Sequence, residues 1–334
     1  MSTADGLRVG VVGTGTLGTG LGRALNGTTT GRVVAIADVA EDSRTRAGDR
    51  LDVSAERRYE VYGEMLDDAD LDAVFVATPH ALHYEQVVAA MDRDLHVLCE
   101  KPLTVSLETA RDLVERDEAR EEVLMVGYQR HIEGPYVAAR EAVESWDGQP
   151  TFVTAEITQN WISGQRGSWR ANPALSGGGQ LFDTGSHIID AVLWITGLEP
   201  TAVTASMVFQ GENDGVDTQA TLTVEFEADA AATIAVSGDA PRVREHHRFW
   251  GDDGAVYVDG RGWNDRTVHT VDTDGAERHP RIEDRYPNKV VAFVEAVEEG
   301  VEPPATPRDA LKVTAVTEAA YRAARTGERV DLDL

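Results

Sequence analysis

The sequence predicts an α/β protein in which a doubly wound parallel sheet is followed by a second domain with antiparallel strands. Short apolar runs alternate with helical patterns as far as residue 128, which is typical of a parallel sheet. Beyond that point, strand-like segments alternate apolar with polar residues, as an antiparallel sheet with one covered face requires. With 334 residues, of which 42% are hydrophobic, the chain is long enough for two cores, and we place the domains at 1–128 and 129–334.

The first domain is predicted to consist of apolar strands separated by helices. Such strands are buried on both faces of a parallel sheet, and right-handed crossovers make the sheet doubly wound. The predicted strands span 7–13, 32–39, 71–79, 95–100 and 123–128, and the predicted helices span 16–26, 81–93 and 106–119.

The second domain is predicted to be rich in strands joined by Gly, Asp and Asn turns. One long apolar segment, 177–197, interrupts these strands and predicts a helix. Two helical patterns close the chain, at 286–300 and 307–327, and we expect both helices to pack toward the first domain. The predicted strands begin with "TFVTAEITQNW" and continue as "TAVTASMVF", "DTQATLTVEFE", "ATIAVSG", "HHRFWGDDG" and "GAVYVDG".

The charge balance excludes several classes of partner. Lys and Arg number 31 against 58 Asp and Glu, which gives a net charge of −27. Such a field repels nucleic-acid phosphates and anionic membrane surfaces, so we expect neither as a partner. No apolar run of 18 residues and no signal-peptide pattern occurs, and Cys99 is the only cysteine, which favours a reducing cytoplasm. Abundant acidic residues with only three lysines are typical of proteins from high-salt cytoplasms.

A glycine pattern near the N-terminus predicts a dinucleotide site. In "GVVGTGTLGTG", Gly13, Gly15 and Gly18 form G-x-G-x-x-G between a strand and a helix. Gly13 permits a tight turn, Gly15 lets a pyrophosphate approach the backbone, and Gly18 lets the helix pack on the sheet. Asp38 follows Gly18 by twenty residues, at the end of the second strand, where its carboxylate can hydrogen-bond ribose hydroxyls.

The same region indicates which dinucleotide binds. The carboxylate of Asp38 would repel a 2′-phosphate, so we predict NAD as the cofactor. Arg44 and Arg46 lie near Asp38 in sequence and leave NADP open. We include Thr16 and Leu17, which lie within the glycine pattern, among the cofactor contacts.

The motif "ATPHALHYEQ" ends a predicted strand at the carboxyl edge of the sheet. Ligands of doubly wound folds bind at this edge, so we expect Thr78, Pro79 and His83 to contact the cofactor. A capping or packing role is an equal alternative for His80 and His83.

The motif "CEKP" ends the next strand, at the same edge. Here Lys101 is one of only three lysines in the chain, although basic charge is otherwise carried by arginine. We expect Glu100 and Lys101 to lie where the nicotinamide binds. The alternative is structural: an exposed salt bridge between Glu100 and an arginine, with Pro102 shaping the loop.

The segment "GGGQLFDTGSH" places charged residues on a helix that is otherwise apolar. Asp183 and His187 lie four residues apart, hence on one face, and Asp190 continues that stripe. A buried helix should not carry such groups unless they have partners or a function. An Asp–His pair at this spacing is also half of a metal site, but "EHHRF" at 245–249 is strand-like, and we expect no metal.

Taken together, these motifs resemble the Gfo/Idh/MocA family of nicotinamide-dependent oxidoreductases. The shared pieces are the glycine fingerprint, "EKP" and "GGG…D-x-G-x-H", and the C-terminal stretch from 286 to 327 is also similar. The resemblance implies a Rossmann domain followed by an α/β domain built on a large, mostly antiparallel sheet. The exposed face of that sheet often forms the oligomer interface, which implies a homodimer or homotetramer. The implied substrate is a sugar, cyclitol or related polyol.

The resemblance also implies roles for individual residues. Lys101 corresponds to the motif lysine beside the nicotinamide, and Asp183 and His187 correspond to the catalytic pair. His187 follows the histidine type found among inositol-dehydrogenase-like members, and all three residues are also expected to bind substrate. Two looser matches add further substrate contacts, namely Arg130 and the pair Trp169 and Arg170.

These residue types suit oxidation of a secondary alcohol. A histidine with a pKa near neutrality can remove the hydroxyl proton, an aspartate can orient the hydroxyl, and a lysine can stabilise alkoxide charge. Two alternatives remain open at this point. One is a redox-assisted NAD-dependent glycosidase, and the other is a cofactor-binding sensor or regulator without turnover.

Overall fold

The computed structural model describes residues 6–210, 215–227 and 229–334, which form two compact units. The first unit contains the N-terminal residues as far as Thr104, with Glu108–Gln129 and Tyr286–Pro307. The second unit contains Val105–Leu107, Arg130–Arg285 and Arg308–Leu334. Of the two C-terminal helices, one therefore belongs to each unit, although we expected both to pack toward the first domain.

The first unit is built on a six-stranded parallel sheet with the order β3-β2-β1-β4-β5-β6. Strands β2 and β3 lie on one side of β1, and strands β4, β5 and β6 lie on the other. The strand order therefore changes direction between β1 and β4, and ligands of such folds bind at this switch point. Its central strands are buried on both faces, which explains their continuous apolar sequences. The strands are β1 Leu7–Val12, β2 Gly31–Ala37, β3 Arg58–Tyr59, β4 Ala73–Val76, β5 His96–Cys99 and β6 Leu124–Val126.

Helices cover this sheet, and one of them comes from the far end of the chain. Phe293 of that helix packs edge-on against Phe75 of β4, with ring centroids 5.7 Å apart. Sequence patterns did not predict α2, β3 or α3, because α2 is strongly polar and the other two elements are short. The helices are α1 Thr16–Asn26, α2 Glu41–Leu51, α3 Tyr62–Asp68, α4 His83–Met91, α5 Leu107–Glu118 and α10 Lys289–Glu299.

The second unit is built on a nine-stranded sheet with the order β14-β13-β12-β11-β7-β10-β9-β8-β15. Neighbouring strands pair antiparallel except for β7 and β10, which are parallel. The strands are β7 Phe152–Asn160, β8 Pro200–Gln210, β9 Val216–Phe226, β10 Ala231–Ser237, β11 Asp239–Gly251, β12 Gly254–Gly260, β13 Arg266–Asp272, β14 Glu277–Arg278 and β15 Val330–Asp331. Together the two sheets confirm the predicted fold class.

One face of the nine-stranded sheet is covered by helices, and α9 lies at its centre. Residues of β10 alternate between buried and half-buried, which shows directly that one face is packed and the other is open. The predicted helix at 177–197 is shorter in the structure: a π-helical turn, Leu181–Gly185, leads into α9. The helices are α6 Gly134–Glu144, α7 Trp161–Gln165, α8 Pro173–Ser176, α9 Ser186–Thr196 and α11 Pro307–Thr326.

Two features are absent from the part of the chain that the structure describes. None of the helices in residues 6–210, 215–227 and 229–334 combines the length and apolarity needed to cross a membrane. Within the same ranges, no group of three or more His, Cys, Asp or Glu side chains is arranged to hold a metal ion.

Candidate active site

The glycine turn of the first unit has the shape of a phosphate cradle. Gly13 has a φ of +85°, and a Cβ there would lie 2.7 Å from the carbonyl oxygen of Ala77. A Cβ on Gly18 would lie 1.9 Å from the carbonyl oxygen of Gly13, so packing excludes any side chain at either position. Gly15 differs, because a Cβ there would meet nothing within 4 Å. The open space at Gly15 adjoins the start of α1 at Thr16, where backbone amides attract anions.

Asp38 lies directly beyond β2 and is hydrogen-bonded to this turn. Its Oδ2 accepts hydrogen bonds from the amide of Thr14 at 2.7 Å and from the Thr14 hydroxyl at 3.0 Å. Its Oδ1 accepts one from the amide of Ala40 at 2.9 Å, and Arg44 donates to its backbone carbonyl at 2.5 Å. The carboxylate is thus fixed beside the cradle, where it suits a ribose, and Leu17 on the cradle is 49% exposed. The residues present therefore fit a dinucleotide.

The loop after β4 holds the second group of predicted cofactor residues. Thr78 and Pro79 are half-buried there. His83 is 0% exposed, and its ring nitrogens lie 2.8 Å from the carbonyl oxygen of Pro102 and 2.9 Å from that of Thr78. Burial lowers the pKa of His83. These contacts link the loops that follow β4 and β5, and they argue against the predicted contact of His83 with a cofactor.

The "EKP" motif follows β5, and its two charged residues have different environments. Glu100 is 5% exposed, and its Oε1 lies 2.5 Å from Nζ of Lys289 on α10. This buried pair replaces the exposed arginine partner considered from sequence, and it argues against a cofactor contact through the Glu100 carboxylate. Lys101 is half-buried in the next position. The third lysine, Lys312, pairs with Glu199 in the second unit.

In the second unit, Asp183 and His187 lie at the start of the central helix. Asp183 belongs to the π-helical turn and His187 to the first turn of α9, and each residue is 7% exposed. The Asp183 carboxylate accepts a hydrogen bond from Trp161 Nε1 at 2.6 Å and another from Arg170 Nε at 3.2 Å. The Arg170 guanidinium lies over the ring of Trp169, 4.3 Å from its centroid. The structure therefore brings the predicted Arg170 and Asp183 together, and π-helical turns of this kind often occur at functional sites.

Asp190, the third polar residue of the same stripe, has a structural partner. Its Oδ1 lies 2.9 Å from Nε2 of His131, and the His131 ring stacks on Trp194 with centroids 4.3 Å apart. Burial raises the pKa of Asp190, and His131 opposes that shift. Asp190 is thus explained by packing, whereas Asp183 is held by a tryptophan and an arginine at the start of the helix.

Arg130 lies in a buried ionic cluster. It is 0% exposed, and its Nε donates to Glu245 Oε1 at 2.8 Å. Arg266 donates to Glu245 Oε2 at 2.9 Å, and the Tyr136 hydroxyl donates to Oε1 at 2.5 Å. Burial opposes ionisation of Glu245, but Arg130, His247 and Arg266 outweigh it and lower the pKa of Glu245 to about 2. This burial argues against the predicted substrate contact of Arg130.

Three residues that the sequence did not indicate hold candidate site residues, each within its own unit. Trp161 donates to Asp183, Lys289 pairs with Glu100, and Asp217 of β9 accepts hydrogen bonds from the backbone at the start of the central helix. Each lies at least 22 positions from its partner in sequence, so no local spacing could have indicated the contact. The only signal was compositional, since Lys289 is one of three lysines.

Comparison with known proteins supports the fold and the cradle. Residues 7–128 match the Gfo/Idh/MocA oxidoreductase family with an NAD-binding Rossmann fold, and residues 136–257 match the GFO/IDH/MocA C-terminal domain. D-xylose 1-dehydrogenase (NADP(+)) 2 of Haloferax volcanii is 31% identical over 90% of this chain and 91% of its own. Myo-inositol 2-dehydrogenase of Thermotoga maritima is 29% identical over 90% of each chain.

A solved structure shows the same architecture over the full length. The aldose-aldose oxidoreductase of Caulobacter crescentus, crystallised with glycerol, has a TM-score of 0.86 and 25% identity, covering 98% of this chain and all of its own. Fold, cradle and relatives together define an NAD(P)-dependent oxidoreductase. The chain belongs to the Gfo/Idh/MocA family of oxidoreductases.

Proposed function

We propose that this enzyme oxidises a secondary alcohol of a sugar, cyclitol or related polyol, with NAD as the preferred cofactor. The observation that carries the proposal is the pair Asp183 and His187 at the start of one buried helix, with Asp183 fixed by Trp161 and Arg170. Charged and titratable groups are costly in such a place unless they have a function. The substrate class follows from the names of the relatives, which are a D-xylose and a myo-inositol dehydrogenase.

His187 is the proposed general base. An imidazole can accept the hydroxyl proton of the substrate near neutral pH, and the first turn of α9 holds it in a place that excludes most water. Asp183, fixed by its two donors, orients the same hydroxyl, while Arg170 and Trp169 offer a polar and an aromatic surface to a sugar. The nicotinamide, when bound, accepts the hydride.

Lys101 is the proposed electrophilic group. Its ammonium would donate to the reacting oxygen and stabilise negative charge that develops there. A compact ammonium on a flexible stem can be aimed at one atom, whereas the planar fork of an arginine is wider and binds two acceptors. This difference accounts for a lysine in a chain that otherwise uses arginine.

Substitution of these residues tests the assigned roles. His187→Ala and Lys101→Ala should each lower kcat by about a hundredfold or more, because each removes one transition-state interaction. Binding of NAD, measured by fluorescence titration, should change little. Lys312→Ala is the matched control, since Lys312 lies in an exposed pair with Glu199 and should leave kcat unchanged.

The double variant shows whether Lys101 and His187 serve the same step. If they do, His187→Ala combined with Lys101→Ala should lose much less than the product of the two single losses. Fully multiplicative losses would contradict a shared step, and full activity of Lys101→Arg would show that positive charge alone suffices.

The cofactor preference rests on Asp38. Its carboxylate beside the cradle favours free ribose hydroxyls and repels a 2′-phosphate, which supports NAD. The Haloferax relative is named for NADP(+), and Arg44 lies against the backbone of Asp38, so NADP is the alternative. Comparing kcat/KM with the two cofactors decides between them. Asp38→Ser should shift the ratio toward NADP⁺, and a wild-type preference for NADP⁺ would overturn the proposal.

A spectrophotometric screen identifies the substrate. Pentoses, hexoses, inositols and sugar acids are each incubated with NAD⁺ and NADP⁺, and formation of reduced cofactor is followed. The screen should include glycosides, because bond cleavage without net cofactor reduction would indicate the redox-assisted glycosidase instead. Absence of oxidation in all classes would contradict the proposed substrate class.

The acidic composition supports a high-salt cytoplasm as the site of action. Concentrated cations screen the repulsion that a net charge of −27 creates, so activity and folding should need molar KCl. Full stability in dilute buffer would contradict this. We further propose a homodimer or homotetramer, as the family resemblance implies, and sedimentation in the same KCl series tests it.

A further inference from the structure

The π-helical turn that leads into α9 is capped by a residue of a strand, β9. Backbone amides in the first turn of a helix have no partner within the helix, and a carboxylate placed there stabilises them. Oδ1 of Asp217 on β9 accepts a hydrogen bond from the amide of Gly179 at 2.7 Å. Oδ2 accepts one from the amide of Leu181 at 2.9 Å. Asp217 therefore caps this turn through tertiary structure, although it lies 36 positions from Leu181 in sequence.

A tyrosine from the last helix completes this cap. The Tyr321 hydroxyl on α11 donates to Oδ1 of Asp217 and lies 3.0 Å from the amide of Gly179. Asp217 is 0% exposed and Tyr321 is 6% exposed. A buried carboxylate is expensive unless several donors satisfy it, and here two amides and a hydroxyl do so. Burial raises the pKa of Asp217, and these three donors oppose that shift.

The glycines of the "GGG" motif make room for the same groups. A Cβ on Gly179 would lie 2.1 Å from the carbonyl oxygen of Asp217, and a Cβ on Gly178 would lie 2.1 Å from the Tyr321 hydroxyl. These two glycines therefore permit a close approach of the protein to itself. Both glycines are needed so that the cap can reach the backbone.

The cap is connected to Asp183 through one residue, Gly179. The amide of Gly179 donates a hydrogen bond to the Asp217 carboxylate. The carbonyl oxygen of Gly179 accepts a hydrogen bond from the amide of Asp183 at 3.0 Å. Leu181, the other capped residue, begins the π-helical turn that contains Asp183. A shift at Gly179 would therefore move the backbone of Asp183 relative to Trp161, which holds its carboxylate.

We infer that Asp217, together with Tyr321, is a positioning residue that fixes the π-helical turn and thereby the orientation of Asp183 toward substrate. The inference rests on the proposed catalytic function of Asp183. Neither residue is assigned contact with the substrate. Displacements of the order of 1 Å at a reacting group lower rates by about a hundredfold, so a cap of this kind affects turnover without touching the chemistry.

Two variants and one control test the inference. Asp217→Asn keeps the shape but offers one acceptor instead of two, and Tyr321→Phe keeps the ring but removes the hydroxyl. Thr317→Val is the matched control, because Thr317 is a buried residue one turn earlier on α11 whose hydroxyl bonds only within that helix. Each variant is assayed for kcat, KM, the pH profile of kcat/KM, and amide hydrogen exchange over residues 177–187.

We expect Asp217→Asn to lower kcat by about ten- to a hundredfold and Tyr321→Phe by about three- to tenfold. In both variants, the KM for the cofactor should stay within about twofold, and the pH profile should shift because Asp183 is reoriented. Exchange at Gly179 and Leu181 should become faster. Thr317→Val should match the wild type in all four measurements. If Asp217→Asn fails to fold, Tyr321→Phe alone decides.

The outcomes separate this inference from the proposed function. Unchanged exchange at residues 177–187 in a folded variant overturns the cap. Faster exchange with unchanged kcat and pH profile overturns the positioning function and leaves the proposed dehydrogenase activity standing. Failure of the proposed function shows differently, since wild-type enzyme would then oxidise no sugar or polyol although the exchange difference between wild type and Asp217→Asn persists.

Discussion

The two units build their candidate functional regions by different means. In the first unit, the cradle is formed by backbone and by the absence of side chains at Gly13, Gly15 and Gly18. In the second unit, the segment that carries Asp183 and His187 is held by buried side chains from distant segments. The glycines of the first arrangement lie close together in sequence, whereas the second arrangement depends on contacts between segments that are distant in sequence.

This difference has a consequence for tolerance to substitution. A backbone cradle fails when a side chain is added, whereas a buried polar network fails when a side chain is removed. Substitutions in the first unit should therefore act mainly on cofactor binding, and those in the second mainly on folding or turnover. Substitutions in both units test this contrast, and the one with the largest expected effect comes first.

The largest effect is expected from the buried ionic cluster of the second unit. Glu245→Ala would leave Arg130 and Arg266 buried without their carboxylate, and breaking such a pair costs about 3–5 kcal/mol. The free energy of unfolding, measured by denaturant titration in KCl, should fall by this amount. Glu225→Ala is the control, because Glu225 pairs with Arg329 at the surface and should lose less than about 1 kcal/mol. Equal losses in the two variants would contradict the contrast.

A smaller effect, of a different kind, is expected from the cradle. Gly15→Ala should weaken NAD binding by about tenfold or more with little change in stability, because the new Cβ enters open space that the pyrophosphate needs. Isothermal titration and thermal unfolding separate the two quantities.

Two neighbouring glycines serve as controls for the cradle. Gly18→Ala should lower both stability and binding, since its Cβ would overlap the carbonyl oxygen of Gly13. Gly20→Ala on the same helix meets nothing within 4 Å, so it should leave binding intact and stabilise the fold by up to about 1 kcal/mol. Parallel losses of stability and binding at Gly15 would argue against a ligand-binding purpose for that open space.

The last effect concerns the pH dependence of stability. His247 beside the cluster is 0% exposed, and burial, only partly opposed by Glu245, lowers its pKa from 6.5 to about 3. The unfolded chain therefore takes up a proton below pH 6.5 that the folded chain does not. Stability should fall as pH decreases from about 6.5 toward 3, by up to about 1.4 kcal/mol per pH unit.

Measurement between pH 7 and 5 isolates this histidine from the cluster. The contribution of Glu245 is lost only at lower pH, because its pKa is lowered to about 2 and that of an unfolded glutamate is about 4.3. His247→Phe should flatten the profile in this window, and His279→Phe, at an exposed position, is the control. A profile that His247→Phe leaves unchanged would show that other groups set the pH dependence.

Much of the first unit could be predicted because its determinants are local. Periodicity indicated β1, α1 and β2, and the glycine spacing indicated a turn whose packing the structure explains at Gly13 and Gly18. Predictions failed where an element had little apolar sequence, as in the polar α2. The predicted contacts also lacked support where a motif residue has a buried partner from a distant segment, as Glu100 has in Lys289.

For the second unit, the sequence indicated the residues but not their partners. The apolar circumference of the segment 177–197 predicted a buried helix, and Asp183, His187 and Asp190 were recognised as residues that need partners. The π-helical turn, the pairing of Asp190 with His131 and the cap by Asp217 were not predictable from the sequence. Each depends on which strand or helix lies beside the segment after folding.

The sequence by itself determined the fold class, the glycine cradle, the carboxylate at the end of β2 and the set of residues proposed for catalysis. The first three follow from periodicity and short spacing, which act within a few residues of the chain, whereas the proposed catalytic set follows from the family resemblance of the motifs. The tertiary structure alone decided that His83 and Arg130 are fully buried, that Glu100 is paired with Lys289, and that Asp217 holds the turn before Asp183. Buried polar groups must find partners wherever the fold provides them, and those partners are set by strand order and helix packing.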